Sequence, residues 1–479
     1  MELYVHIPFC VKKCNYCDFL SFPGYGCGAD EKHRSFLCKY VDALCREIDM
    51  IEDGMKRTAS LNLNPDVLTL DEESRLKTQI QKSSETGDTC FIGGGTPSVL
   101  DTEQMEKLLK SILKLTASGT FKEFTIECNP GTLTKEKLLL YKKYGVNRLS
   151  IGLQSADNGI LRRLGRIHTY EDFLDSYVLA KECGFDNINI DLISAVPGQT
   201  VENWKDTLEK VMALEPRHIS AYSLILEEGT PLYADYEKSP ESLNLPDEDT
   251  EREIYHLTKK ILKENGYERY EISNYAKPGY ECRHNIGYWT GEEYIGVGLG
   301  AASYLSEQSY QGIYGSLECE VASLVKEIQT NKAKGPEHNE RSMLRIKNTD
   351  DIDKYISAYL DNVEINTSIG KAGGCDDLKE VISCEVLQND METKSGVRDI
   401  EETLNRDAQM SEFCILGLRM CAGISKSEFK SRFGTDIYEV YENIIKKHMA
   451  DGLLEEVGDR IRCTEAGLDL NNTVLCDFM

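Results

Sequence analysis

Six short apolar segments recur through the first half of the chain: LYVHIP, TCFIGG, FTIECNP, RLSIGLQ, NINIDLISAVP and HISAYSLIL. Helix-like runs such as TEQMEKLLKSILKL and TKEKLLLYKKYG lie between them. Strands that are apolar nearly throughout are buried on both faces, and strands separated by helices pair in parallel. The pattern predicts an α/β fold in which helices cover a parallel sheet. Six strands make an incomplete, TIM-like (β/α)6 barrel, expected over residues 1–230.

The same strands indicate where chemistry belongs. Each ends in a polar residue or glycine: Cys10 after the first, Gly93 to Thr96 after the second, Glu127 on the third, Gln154 on the fourth, Asp191 on the fifth and Ser223 on the sixth. In α/β barrels the C-terminal strand ends form the active face. One polar strand end is commonplace; a full set on one face points to a site.

Downstream, residues 231–305 are expected to close the barrel, and 306–407 to form a connecting region rich in insertions. Residues 55–88 and the stretches around 306–343 and 362–405 are polar, without persistent periodicity, and are expected to be mobile surface elaborations. The more regular RIKNTDDIDKYISAYL lies between the last two. From about residue 408 the character changes. SEFCILGLRM, SKSEFKSRFG and DIYEVYENIIKKHMADG predict three helices, and LLEEVGDRIRCT a hairpin turning at Gly-Asp. Together they suggest a winged-helix-like α+β domain over 408–479. DNA is a common partner of such modules, but from Ser411 onward 8 Lys and Arg face 12 Asp and Glu, a net charge of −4. Packing or protein docking is expected instead.

Charge and cysteine usage narrow the function class further. Across the chain 81 acidic residues outnumber 55 basic ones, a formal charge of −26 that argues against a nucleic-acid partner. Seventeen cysteines, an odd number with irregular spacing outside the first cluster, suit a reducing compartment better than a disulfide framework. The chain opens almost directly on a strand, without a signal peptide, a basic presequence or an apolar run long enough to span a membrane. A cytoplasmic protein is expected, with an organellar address left open.

The stretch HIPFCVKKCNYCDF spaces Cys10, Cys14 and Cys17 as C-x3-C-x2-C. Three thiolates so close can grip three irons of a 4Fe-4S cluster from one loop. A zinc site would call for a second CxxC pair, which does not follow. A redox CxxC from Cys14 to Cys17 would leave Cys10 without a role. On the residues alone these alternatives stay open.

A cluster with three protein ligands has one open iron. C-x3-C-x2-C on a partial α/β barrel resembles the radical S-adenosylmethionine (SAM) superfamily. There the amino and carboxylate groups of SAM chelate that iron, and an electron passed to the sulfonium releases methionine and a 5′-deoxyadenosyl radical. The resemblance implies that GGGTP allows close backbone approach to the methionine end, that Glu127 and Asp191 accept from amino or ribose groups, and that Arg166 pairs with a carboxylate. Tyr4 would flank the cluster.

A narrower resemblance rests on LYVHIPFC, FIGGGTPS, ECNPGTL, RLSIGLQS, LGRIHT, NIDLISAVPGQT, YSLILEEGTPLY and YEISNYAKPG, which run in register from residue 3 to about 279. Together they resemble the oxygen-independent coproporphyrinogen oxidase-like family. LGLRMCAGISKSEFKSRFG and GLLEEVGDRIRCTEAGL resemble its end domain. The implied SAM contacts fall on Tyr4, Gly94, Gly95, Thr96, Glu127, Gln154, Arg166, Asp191 and Ser223. The decarboxylating branch carries a further cysteine where this chain has Phe19, and an N-terminal extension ahead of the first strand. ECRHNIGYW instead matches the HNxxYW motif of the heme-chaperone branch at His284, Asn285, Tyr288 and Trp289. An imidazole can ligate heme iron and aromatics can pack on the porphyrin, with Cys282 as a competing soft ligand. The plainer alternative is a buried histidine hydrogen-bonded within a barrel-closing loop.

What this resemblance implies is a heme chaperone built on a 4Fe-4S and SAM scaffold, with acceptor hemoproteins as partners. An electron donor such as a flavodoxin or ferredoxin would serve it, and the pattern admits a homodimer. The rival is an oxygen-independent coproporphyrinogen III dehydrogenase, and a third reading is a radical SAM enzyme acting on an unrelated substrate.

Overall fold

The computed structural model describes residues 1–26, 30–62, 88–116, 118–315, 342–360 and 397–479. The six expected strands are Glu2–Ile7 (β1), Thr89–Gly94 (β2), Glu123–Cys128 (β3), Arg148–Gln154 (β4), Asn187–Ser194 (β5) and His218–Ser223 (β6). They pair in parallel and in chain order, as their helical crossovers require.

Their two faces differ more than expected. Leu3, Val5 and Ile7 of β1, Phe124 and Ile126 of β3, and Leu149, Ile151 and Leu153 of β4 are fully buried in a core shared with the covering helices. Residues of the other parity, among them Tyr4, Glu127, Ser150, Asp191 and Ser220, line a cavity. The expectation of strands apolar on both sides is therefore corrected. The inner face is buried but polar, because its groups find partners in one another across the strands.

Helices between the strands start at side-chain caps. Asp101, Thr134, Thr169 and Thr200 each accept a backbone N–H of the first turn, an arrangement whose loss costs about 1 kcal/mol per cap. Helix Val201–Met212 buries Trp204, Leu208 and Val211, spaced to form one apolar stripe.

The sheet does not stop at six strands. Glu268–Arg269 (β7) and Asn274–Ala276 (β8) extend it beyond β6, while Tyr294–Val297 (β9) pairs in parallel with β1. Ala302–Ser306 (β10), Met343–Asn348 (β11) and Arg398–Leu404 (β12) continue antiparallel on that side, for twelve strands in all. Short or polar, these strands give no strong apolar signal in sequence.

The expected surface elaborations need partial correction. Residues 55–62 complete the long helix Glu31–Asn62, 307–314 form another helix, and 398–404 are β12. The edge position of β12 explains its sequence: most of RDIEETL is exposed, so ladder hydrogen bonds rather than burial define it. Its Arg398 pairs with buried Glu47 of the long helix at 2.7 Å. The remainder of those polar stretches, 63–87, 316–341 and 361–396, lies outside the described residues.

After β12, helices Arg406–Gly417, Lys426–Phe433 and Ile437–Ala450 surround a small antiparallel sheet of Ile424–Ser425 (β13), Leu454–Val457 (β14) and Arg460–Cys463 (β15). Phe429, Ile437, Ile445 and Ile461 form a separate core there. This unit meets the barrel through the backbone of Cys421, which donates to Tyr270 O at 2.9 Å. Among the described residues no helix is long and apolar enough to cross a membrane.

Candidate functional site

The cysteine loop leaves the C-terminal end of β1 and is fixed along its length. Cys10 N donates to Phe22 O (2.9 Å), Phe22 N to Pro8 O (2.7 Å), and Asn15 N to Leu164 O (2.9 Å). Cys10 is buried and Cys14 and Cys17 are half-buried. Burial raises the thiols of Cys10 and Cys17, and the neighbouring cysteines add to the effect. The thiols thus lie within each other's electrostatic reach, although among the described residues no three Cys, His, Asp or Glu side chains converge as a ready metal site; thiols are the donor type a soft metal centre takes.

The glycines after β2 exist to let this loop pack. Gly95 N donates to Ile7 O (2.9 Å) and Thr96 N to Phe9 O (2.8 Å). A Cβ on Gly95 would meet Phe9 N and O at 2.8 Å and Ile7 O at 2.9 Å, all backbone atoms. Gly94 has φ +107°, a region costly for other residues. Its N–H donates to Glu127 Oε2 at 3.1 Å.

One chain of hydrogen bonds links two of the cysteines. Thr96 Oγ1 donates to Cys10 Sγ (3.4 Å) and accepts from Asn129 Nδ2 (2.7 Å). Arg166 Nη2 donates to Asn129 Oδ1 (2.7 Å) and Gly152 O (2.8 Å), while Nη1 reaches Cys14 Sγ at 3.6 Å. A half-buried guanidinium thereby sits beside a cysteine. Gln154 joins at the end of β4, where the register slips and its own φ is +70°. Strained backbone of this kind accumulates at functional sites.

Beneath this shell a cavity of about 230 Å³ runs into the barrel. Phe19, 65% exposed, and Tyr222, 41% exposed, stand at its mouth. Tyr4, Gly94, Glu127 and Asp191 line its walls. Burial, with the nearby Asp191 charge, pushes Glu127 up to about 8. Burial also raises Asp191, which accepts from Ser150 Oγ and Asn189 Nδ2, each at 2.8 Å.

The HNxxYW segment forms the other end of this cavity. It is a helix, Arg283–Thr290, rather than a loop, and it docks on the N-terminal strand ends. His284 N donates to Glu123 Oε1 (3.1 Å) and Arg283 N to Glu123 Oε2 (3.0 Å), at the first residue of β3. His284 is 1% exposed, and both ring nitrogens are engaged, Nδ1 with Thr89 Oγ1 and Nε2 with Tyr288 OH, each at 2.9 Å. Burial, and then Arg148, lower its pKa to about 3. Asn285 and Tyr288 line the cavity floor with it.

The Radical SAM superfamily matches residues 4–211, and the HemN C-terminal domain matches 404–470. The heme chaperone HemW of Lactococcus lactis is 31% identical over 99% of this chain and 96% of its own length. That of Bacillus subtilis is 30% identical over 99% and 98%. The chain belongs to the HemW family. The solved structure of Escherichia coli coproporphyrinogen III oxidase (HemN), described as a radical SAM enzyme, superimposes with a TM-score of 0.65 at 20% identity, covering 100% of this chain and 89% of that one. That likeness concerns the fold.

The site residues expected from the HemW-family motifs fall into three sets. Cys10, Cys14, Thr96, Gln154 and Arg166 gather at the C-terminal face around Asn129 and Gly152, with Cys17 and Gly95 in the adjoining loops. Tyr4, Gly94, Glu127, Asp191, His284, Asn285 and Tyr288 share the cavity. Ser223 and Trp289 are in neither. Ser223 is exposed on the outer parity of β6 and donates to Glu251, while Trp289 lies under Arg419, whose guanidinium is 4.7 Å from the ring centroid. Cys282 is wholly buried, its thiol 3.4 Å from Glu123 Oε1. Asn129, Arg148, Ser220 and Tyr222 were missed in sequence: parity counted from Glu127 reaches Asn129 alone, and the other three fall into line only through the register of β4 on β3 and of β6 on β5.

Proposed function

We propose that this protein is a heme chaperone, binding heme on a radical SAM scaffold and passing it to acceptor hemoproteins. The full-length relationship to HemW proteins carries the reading. The aromatic mouth supports it, since Phe19 stands where the decarboxylating branch has a cysteine. With Tyr222 it offers exposed apolar surface of the kind a porphyrin face packs against.

In this reading Cys10, Cys14 and Cys17 hold a 4Fe-4S cluster, whose open iron takes SAM. Once bound, cluster and SAM supply one-electron chemistry. Arg166 donates towards Cys14 Sγ, and Asn129 fixes both Arg166 and Thr96. Glu127 and Asp191 accept from the polar groups of SAM. His284, with both nitrogens committed, positions Tyr288 at the cavity floor.

The test is anaerobic reconstitution of the cluster, followed by heme titration and coproporphyrinogen III turnover in parallel. Heme is expected to give a Soret band, and to move to an apo-hemoprotein on mixing. Conversion to protoporphyrinogen, or no spectral change on adding heme, would overturn the assignment. Cys14→Ser is expected to abolish the visible absorption of the cluster, and a full four-iron cluster in that variant would refute the ligand set.

A further inference from the structure

Arg148 opens β4 and points inward to line the cavity floor near His284, Asn285 and Tyr288. It is 2% exposed, and its Nε has no hydrogen-bond partner. Among the described residues no carboxylate pairs with it. The charges of Glu123 and Asp191 help hold it cationic from a distance, but its Nε is left without an acceptor, and a buried donor with an unmade hydrogen bond is costly until one is supplied.

The neighbouring acids balance its charge without supplying the missing acceptor, because their oxygens accept from other groups. Glu123 accepts from the Cys282 thiol and from the backbone N–H groups of Arg283 and His284. Asp191 accepts from Ser150 and Asn189. Glu127 accepts from Gly94 and is raised to about 8, so near neutral pH it is largely protonated and repels an incoming anion little. What remains is a planar set of N–H donors facing an open volume. Its complement is a planar anion with two acceptor oxygens.

We infer that Arg148 is the receptor for a ligand carboxylate at the floor of the cavity. The inference rests on the heme-chaperone reading, in which the amino-acid end of SAM goes to the cluster, so the carboxylate meant is a tetrapyrrole propionate, and SAM is carried through the test as the other source of that group. A cavity of about 230 Å³ is smaller than the usual pocket for a drug-sized ligand, so a tetrapyrrole enters only by an edge, and the propionate edge is the one that Arg148 suits.

The experiment uses the full chain, anaerobically reconstituted, as wild type, Arg148→Gln and Arg148→Lys. Each is titrated with heme, with heme dimethyl ester, whose propionates are masked, and with SAM. If a propionate is bound, wild type prefers heme to its diester at least tenfold, Arg148→Gln binds both within twofold, and SAM affinity is unchanged. If the SAM carboxylate is bound, Arg148→Gln loses at least tenfold in SAM affinity and keeps the heme-to-ester ratio. In either case Arg148→Lys, which keeps the charge but not the fork, falls between the two. Arg148→Gln unchanged in both ratios overturns the inference. So does a fall of more than about 5 °C in the melting temperature of unliganded Arg148→Lys as well as Arg148→Gln, which would mark the guanidinium as a structural group. Wild type that binds neither heme nor its diester instead sinks the chaperone reading, and the SAM arm still judges Arg148.

Discussion

The hydroxyl of Tyr288 lies 2.9 Å from His284 Nε2, one turn along the same helix, and Thr89 occupies the opposite ring nitrogen. The imidazole is thus enclosed between two strand-end and helix hydroxyls, and burial lowers its pKa to about 3. The folded state keeps this ring neutral, whereas the unfolded chain protonates near 6.5. Stability is therefore lost as pH falls from 6.5 towards 3, by about 2 kcal/mol at pH 5 for this group alone. His284→Gln, which can bond the same hydroxyls, should flatten that loss in urea midpoints compared at pH 7.5 and 5. Its heme complex should show the parent's Soret position. A Soret shift confined to the variant would identify the imidazole as an iron ligand.

Gly95 carries a sharper steric prediction. A methyl there meets backbone atoms of Ile7 and Phe9 on both sides, and backbone cannot rotate away as a side chain can. Gly95→Ala should cost about 1–3 kcal/mol as overpacking. It should also part the glycine turn from the cysteine loop. Iron content after reconstitution is expected to fall well below that of the parent at equal protein recovery. A fully loaded variant would show that the loop tolerates the displacement.

These two positions show what could be read in sequence. The cysteine spacing, the GGGTP turn and the alternation of strands with helices are local patterns, so the six-strand barrel and its active face were legible. Tyr288 as a partner of His284 was not, because the motif gives residue types without saying which end of the barrel they meet. The polar inner face was hidden for a related reason: Ser150, Asn189 and Ser220 are small polar residues inside apolar runs, and only their register across β4, β5 and β6 aligns them. β12 escaped because its sequence is that of an exposed edge.

Strand parity separates two neighbours on β6. Tyr222 lines the cavity mouth, while Ser223 points away and bonds Glu251. Ser223→Ala should leave SAM and heme affinities within twofold of the parent. Tyr222→Ala removes an aromatic face worth about 0.5–1.5 kcal/mol in such contacts, or roughly two- to tenfold in heme affinity. Heme titrations of the two variants side by side decide the matter, and the reverse order would place the outer parity of β6 in the site.

Glu2 predicts a pH dependence of opposite sign to that of His284. It begins β1, lies 9% exposed beside the motif helix, and its Oε2 has no hydrogen-bond partner. Burial, with Glu292 adding to it, raises its pKa to about 8. A buried carboxylate oxygen without a donor is better protonated, so the folded state holds a proton that the unfolded chain releases near 4.5. Stability from this group is complete below pH 4.5 and is lost as pH rises through 8, by a few kcal/mol over the whole window. Glu2→Gln keeps the shape and removes the titration. Its urea midpoint should match the parent at pH 5 and exceed it at pH 8.5, provided that the amide fits the same space beside Gly287. Equal midpoints at both values would mean that Glu2 is ionised in the folded protein and finds a donor in solution.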